Sequence, residues 1–110
     1  MPACPLPADE VLRQRTLDDM NLVDTTAEHY LDTLVRLTQD LAHVDTVLIS
    51  LIDQDRQWFK ARIGLEASET TRSVSFCGYA ILGYDTLMVP DATCDTRFVD
   101  NPLVLNAPYI

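Results

Sequence analysis

The chain reads as an α+β domain, with helices laid on an antiparallel sheet. Three observations predict this. Tyr30, Leu34, Leu37 and Leu41 recur at a 4-3-4 spacing, which is one face of a helix. Val47, Leu48, Ile49, Leu51 and Ile52 form an almost continuous apolar run of strand length. After the polar turn Asp53-Gln54-Asp55-Arg56, residues from Gln57 to Ile63 alternate apolar and polar, so two strands meet in a hairpin. Helices packed on an antiparallel sheet give an α+β domain.

From the N-terminus, Met1 to about Ala8 carries three prolines and is expected to be a flexible lead. Asp9 is placed to cap a helix running to about Met20, with Val11 and Leu12 on its apolar side. Residues 1–21 are thus a lead and a helix, and residues 22–110 one domain. Thr25-Thr26-Ala27-Glu28 has the form of a capping box, in which Thr25 and Glu28 would each bond the other's backbone. The helix that follows should turn its Tyr30–Leu41 stripe to the sheet, with Leu31, Val35, Thr38 and Ala42 flanking it. His29 and His43 fall at its ends and read as solvated residues rather than ligands.

The run from Thr46 to Ile52 has the composition of a central strand covered on both faces. In the next strand Phe59, Ala61 and Ile63 share one face, and Trp58, Lys60 and Arg62 the other; Gly64 ends it. Glu66 to Arg72 is polar and predicts a loop. Ser75 predicts the N-cap of a short helix through Leu82, with Gly83 after its end. Leu87-Met88-Val89 reads as a third short strand stopped by Pro90. From Asp91 to Asp100 the chain is irregular, with one helical turn begun by Asp95, and Asn101-Pro102 marks a further turn. A sheet of three strands has an open edge, which invites another chain.

Composition excludes several functions. The chain has 110 residues, Asp plus Glu 17 against Lys plus Arg 8, and a formal net charge of −9. A polyanion meets net repulsion from such a chain, which argues against nucleic acid and anionic membrane while leaving room for one small anion at a local arginine cluster. No apolar run is long enough to span a bilayer, and the start lacks the regions of a signal peptide. The three cysteines, Cys4, Cys77 and Cys94, cannot all pair within one chain, which suits reduced thiols in a cytoplasm. With three glycines there is no material for a phosphate loop, and no paired catalytic carboxylates, Ser-His-Asp set or zinc quartet is present. No catalytic residue is therefore assigned, no metal ligand either, and no cofactor is named.

Read in order, several blocks carry a resemblance. They are Leu51-Ile52-Asp53, Asp55 to Lys60, Arg62-Ile63-Gly64-Leu65, Glu69-Thr70, Ser75 to Leu82, Val89-Pro90-Asp91-Ala92-Thr93, Asp95, Arg97-Phe98 and Asp100-Asn101-Pro102. Together the chain from about Leu22 to Ile110 resembles the first two-thirds of a GAF domain, of the type found before diguanylate cyclases and histidine kinases. The resemblance implies a central antiparallel sheet of about six strands, of which the last would follow Ile110. It implies a small-molecule pocket between sheet and overlying helices, and control of an attached output domain that this chain does not carry. It implies a bacterial signalling module that binds a small molecule or forms a homodimer.

On that reading the pocket residues are Ser75, Phe76, Cys77, Tyr79, Asp91 and Phe98. Ser75 and Asp91 would supply hydrogen bonds; Phe76, Tyr79 and Phe98 would supply apolar walls. The resembling subgroup has a His where Tyr79 stands, so no His-dependent metal or haem role is expected here. Cys77 lies at a helix start, where the dipole favours a thiolate. A thiol redox sensor, or an enzyme like the free methionine-R-sulfoxide reductase on the same fold, is thus an alternative. The reductase's principal nucleophile would fall near Leu105 to Tyr109, where no cysteine stands. A structural dimerisation module without ligand is the other. Asp91, Asp95 and Asp100 could hold a cation, but their spacing is not that of a calcium loop and suits turn capping better. Trp58, Lys60 and Arg62 could meet an anionic ring or nucleotide, or form a partner surface.

Overall fold

The computed structural model describes residues 3–110; Met1 and Pro2 of the expected lead lie outside them. The order is helix α1 (Glu10–Met20), helix α2 (His29–Ala42), strands β1 (Val47–Ile52), β2 (Arg56–Ile63) and β3 (Glu69–Thr71), a 3-10 turn (Arg72–Val74), helix α3 (Phe76–Ala80), a second 3-10 turn (Ala92–Cys94) and helix α4 (Pro102–Leu105). The sheet is antiparallel in the order β1-β2-β3. Helices on one antiparallel sheet make this the α+β architecture read from the sequence.

The hairpin forms as expected, and its turn is closed by the Asp53 N–H bonding to the Arg56 carbonyl at 2.9 Å. Gly64 ends β2 with φ +81°; a Cβ there would stand 1.9 Å from the Asp45 carbonyl oxygen, so only glycine fits. The third strand is Glu69–Thr71, which the sequence suggested was loop, while Leu87–Val89 is irregular rather than a strand. The polar Glu69-Thr70-Thr71 pairs with Arg56–Trp58 because the link after Gly64 returns it to that edge, a long-range effect that local propensity does not register. β2, not β1, is therefore central, and β1 stands at an open edge, half buried.

β2 departs from strict alternation. Its register with β1 shifts between Ile49 and Ser50, so that Ser50 faces Phe59, Ile49 faces Ala61, and Lys60 has no partner across the ladder. Phe59, Lys60 and Ala61 are consequently all buried. The Lys60 ammonium bonds to the Thr25 hydroxyl at 2.6 Å and the Thr26 carbonyl at 2.7 Å, and lies 3.3 Å from Glu28. These contacts explain why the expected capping box does not form. Thr25 and Glu28 are turned to the buried cation, and α2 begins at His29 without a side-chain cap.

α2 also faces the other way. Tyr30, Leu34, Leu37 and Leu41 are 66%, 51%, 53% and 81% exposed, whereas Val35 is 2% exposed against the sheet. The periodicity was sound, but the buried side is the Leu31–Val35 flank. α1 is similar: Val11 and Leu12 point to solvent, and Gln14 and Leu17 are buried. Polar contacts fix that orientation, with Arg13 donating to the Ile52 carbonyl at 2.6 Å and Gln14 to Asp53 at 2.7 Å. The lead is anchored at Cys4, which is buried beside Gly78.

Candidate functional site

α3 is set by Ser75. Its hydroxyl oxygen accepts from the Gly78 N–H at 3.0 Å and donates to the Arg72 carbonyl at 2.9 Å, which joins the cap to the preceding turn. A Cβ on Gly78 would meet Ser75 Oγ at 2.8 Å and Cys4 Sγ at 2.9 Å, so the small residue lets the lead dock here. The helix expected to run through Leu82 to Gly83 is shorter: α3 ends at Ala80 and closes through Ile81 in ordinary helical geometry, and Gly83 has no positive φ.

An aromatic cluster stands beside this helix. Phe76 and Phe98 stack with centroids 4.0 Å apart and planes 8° from parallel, and Tyr79 meets Phe98 edge-on at 5.2 Å. Phe98 is fully buried, held by the turn that Asp95 begins: the Asp95 carbonyl accepts from the Phe98 and Val99 N–H groups. The Asp95 carboxylate grips Arg97 at 2.7 Å and 3.0 Å, which pulls its pKa down to about 2 and leaves the guanidinium 5.1 Å over the Phe98 ring. Asn101 completes the support. Fully buried, it donates to the Val74 carbonyl and accepts from the Leu103 N–H, both at 2.8 Å.

Outside the stack, a cavity of about 530 Å³ opens between α3 and the second 3-10 turn. Phe76, Cys77, Ala80, Leu87, Val89, Asp91, Thr93 and Tyr109 line it. Of the six pocket residues read from the sequence, Phe76, Cys77 and Asp91 reach its wall. Ser75, Tyr79 and Phe98 do not; they cap the helix and back the wall. Ala80, Leu87, Val89, Thr93 and Tyr109 were not anticipated as pocket residues, and only Thr93 left a local signal, since a hydroxyl two residues after an Asp favours a local turn. The Asp91 carboxylate accepts from the Thr93 N–H at 3.0 Å and its hydroxyl at 2.5 Å, and from the Cys94 thiol at 3.5 Å. These bonds, the Thr93 hydroxyl first, hold its pKa below the ordinary carboxylate value.

Cys77 does not have the activated thiol that a helix start can confer. Burial raises its pKa, with the Ser50 hydroxyl opposing in part. Cys4 is raised too, by burial, although Arg72 lies near enough to oppose it. All three cysteines are free thiols. Among the described residues no group of His, Cys, Asp and Glu is placed to hold a metal ion. Asp91 and Asp95 are engaged in their own turns.

A match to the GAF domain runs over residues 26–110. The chain belongs to the GAF domain family. It is also 42% identical over 106 residues to a cyclic di-GMP phosphodiesterase of Pseudomonas aeruginosa, an alignment that takes in 96% of this chain and 18% of that protein. The chain thus spans under a fifth of the relative's length. The GAF match begins after α1, yet Arg13 and Gln14 join that helix to the end of β1. No helix among the described residues is long and apolar enough to cross a membrane.

Proposed function

We propose that this GAF domain is a non-catalytic, cytoplasmic regulatory module in bacterial signalling, and that the cavity beside α3 receives a small molecule. One observation carries the reading: the cavity is concave, mostly apolar, and has a single oriented carboxylate, Asp91, at its edge, which is the form of a binding site rather than of a reaction centre. The likeness to a cyclic di-GMP phosphodiesterase supports control of an enzymatic output of that kind by an attached domain. Phe76 stacks on the buried Phe98, so a ligand against Phe76 bears on the turn that holds Asp95 to Asn101.

Native mass spectrometry of the chain purified from a bacterial host tests this. Retained small-molecule mass is expected on the wild-type chain and is expected to fall sharply in Ala80→Trp, which fills the cavity. Equal retained mass in both proteins, or none in either, would count against this cavity as the site.

A second reading, a dimerisation module, is favoured by a separate observation. The Tyr30, Leu34, Leu37 and Leu41 spacing is that of a coiled-coil seam, and the seam is exposed. Its four large side chains, all exposed on one helix face, could form the apolar core of a standard interface of about 800 Å² per partner. Sedimentation equilibrium on wild type and Leu37→Glu separates the two readings, since only a seam-mediated dimer is lost in the variant. The thiol alternative has less support, because burial raises rather than lowers the Cys77 pKa.

A further inference from the structure

We infer that a second cavity, on the other side of α2 from the exposed seam, binds an aromatic anion, with its ring against Trp58 and its acid group held by Arg36 and Arg62. The cavity lies between α2 and β2 and measures about 490 Å³. It is separate from the one beside α3 and shares no lining residue with it.

The distribution of unpaired positive charge singles it out. Five of the eight cations are committed: Arg13 and Arg72 to Glu10, Arg56 to Asp24, Asp53 and Glu69, Lys60 to Glu28 and the Thr25–Thr26 turn, and Arg97 to Asp95. Arg15, Arg36 and Arg62 make no ion pair or side-chain hydrogen bond among the described residues, and two of these three line this one cavity. In a chain with 17 carboxylates and a net charge of −9, two exposed guanidinium groups left unmatched on one concavity form a local reversal of the overall field. Planar, weakly hydrated guanidinium groups suit carboxylate or phosphate oxygens.

The aromatic requirement comes from Trp58, half-buried on the same wall. β3 pairs with β2 only as far as Trp58, with one further bond from the Phe59 N–H to the Ser68 carbonyl at 3.1 Å. The β2 edge beyond it is therefore open beside the indole, and a flat ring can enter there. Lys60 lines the same space, but its ammonium is already held by Thr25, Thr26 and Glu28, so the anion falls to the two arginines. Asp32 lines it as well and opposes an anion, which makes its removal a test with a predicted sign.

Trp58 is the chain's single tryptophan, so its fluorescence reports on this cavity alone. The probes are 3-phenylpropionate and phenyl phosphate as charged rings, 3-phenylpropanol as the neutral ring, and propionate as the charge without the ring. At least one charged ring is expected to quench Trp58 with a Kd on the order of 1 mM, about tenfold tighter than either control probe. Which of the two binds better identifies the acid group. The double variant Arg36→Ala/Arg62→Ala is expected to lose that tenfold preference. Asp32→Asn is expected to tighten binding several-fold, and Arg15→Ala to leave it unchanged. The inference is overturned if 3-phenylpropanol binds as well as both charged rings. It is equally overturned if the double variant, with an unaltered circular dichroism spectrum, still prefers the anion, or if Arg15→Ala weakens binding as much.

Discussion

Glu10 shows how one side chain ties distant parts of the chain together. It receives both Arg13, three residues on, and Arg72, from the turn before α3; one Arg72 contact is 3.0 Å. Hydrogen bonds from Arg13 and then Arg72 lower its pKa from 4.5 to about 2, while partial burial opposes them. A carboxylate with a lowered folded pKa stabilises the protein above its unfolded value and loses that contribution as pH falls toward the folded one. Acid unfolding should therefore include a component between pH 4.5 and about 2 that is absent in Glu10→Gln. The same variant should be about 1–2 kcal/mol less stable at pH 7, allowing for solvent screening, because it leaves the buried Arg72 unmatched. Chemical denaturation at pH 7 and pH 3 measures both, and equal pH dependence in the two proteins would refute the assignment. Asn101→Ala should cost more, about 2–3 kcal/mol, because a fully buried side chain is removed and two part-buried backbone partners lose their bonds at once. Ser75 was legible in the sequence because its cap is local. The Glu10–Arg72 pair spans 62 positions and Asn101–Val74 spans 27, and no local pattern announces either.

At the scale of elements, periodicity located the structure but not its orientation. α2 has a strong apolar stripe, and its 3.6-residue period was readable without coordinates. Which face the sheet takes was not, because the sheet also accepts the narrower Leu31–Val35 flank when the α1–α2 link is pinned by Lys60. The capping box failed for the same cause, a lysine far along the chain that claims the capping groups. Stability should follow the observed orientation. Val35→Ala should destabilise the monomer by about 2 kcal/mol, while Leu37→Glu should change it by less than about 0.5 kcal/mol. Thermal unfolding at low micromolar concentration decides this. A larger loss in Leu37→Glu than in Val35→Ala would restore the orientation expected from the sequence. The strand misread has a related origin: Leu87-Met88-Val89 has the right composition and no partner, whereas Glu69-Thr70-Thr71 has the partner without the composition.

Taken whole, the molecule combines sticky and repulsive features. β1 lies at an open sheet edge and α2 presents an apolar seam, and both favour association. A net charge of −9 on 110 residues opposes it, since two copies meet as like charges. The α+β class and the helix-and-hairpin order were legible because they depend on composition and period. Where the apolar surface remains uncovered was not, since that depends on which faces the folded chain leaves unused. The balance between the two features sets the sign of a salt effect. Raising ionic strength from about 10 mM to 1 M shrinks the screening length from about 30 Å to 3 Å and removes most of the repulsion, while apolar contact is retained. Dimerisation through the α2 seam should therefore tighten several-fold over that range, and Leu37→Glu should abolish it at either end. Sedimentation equilibrium at the two salt concentrations measures the change. Weakening with salt would mean that ion pairs hold the dimer and that the seam is not its core.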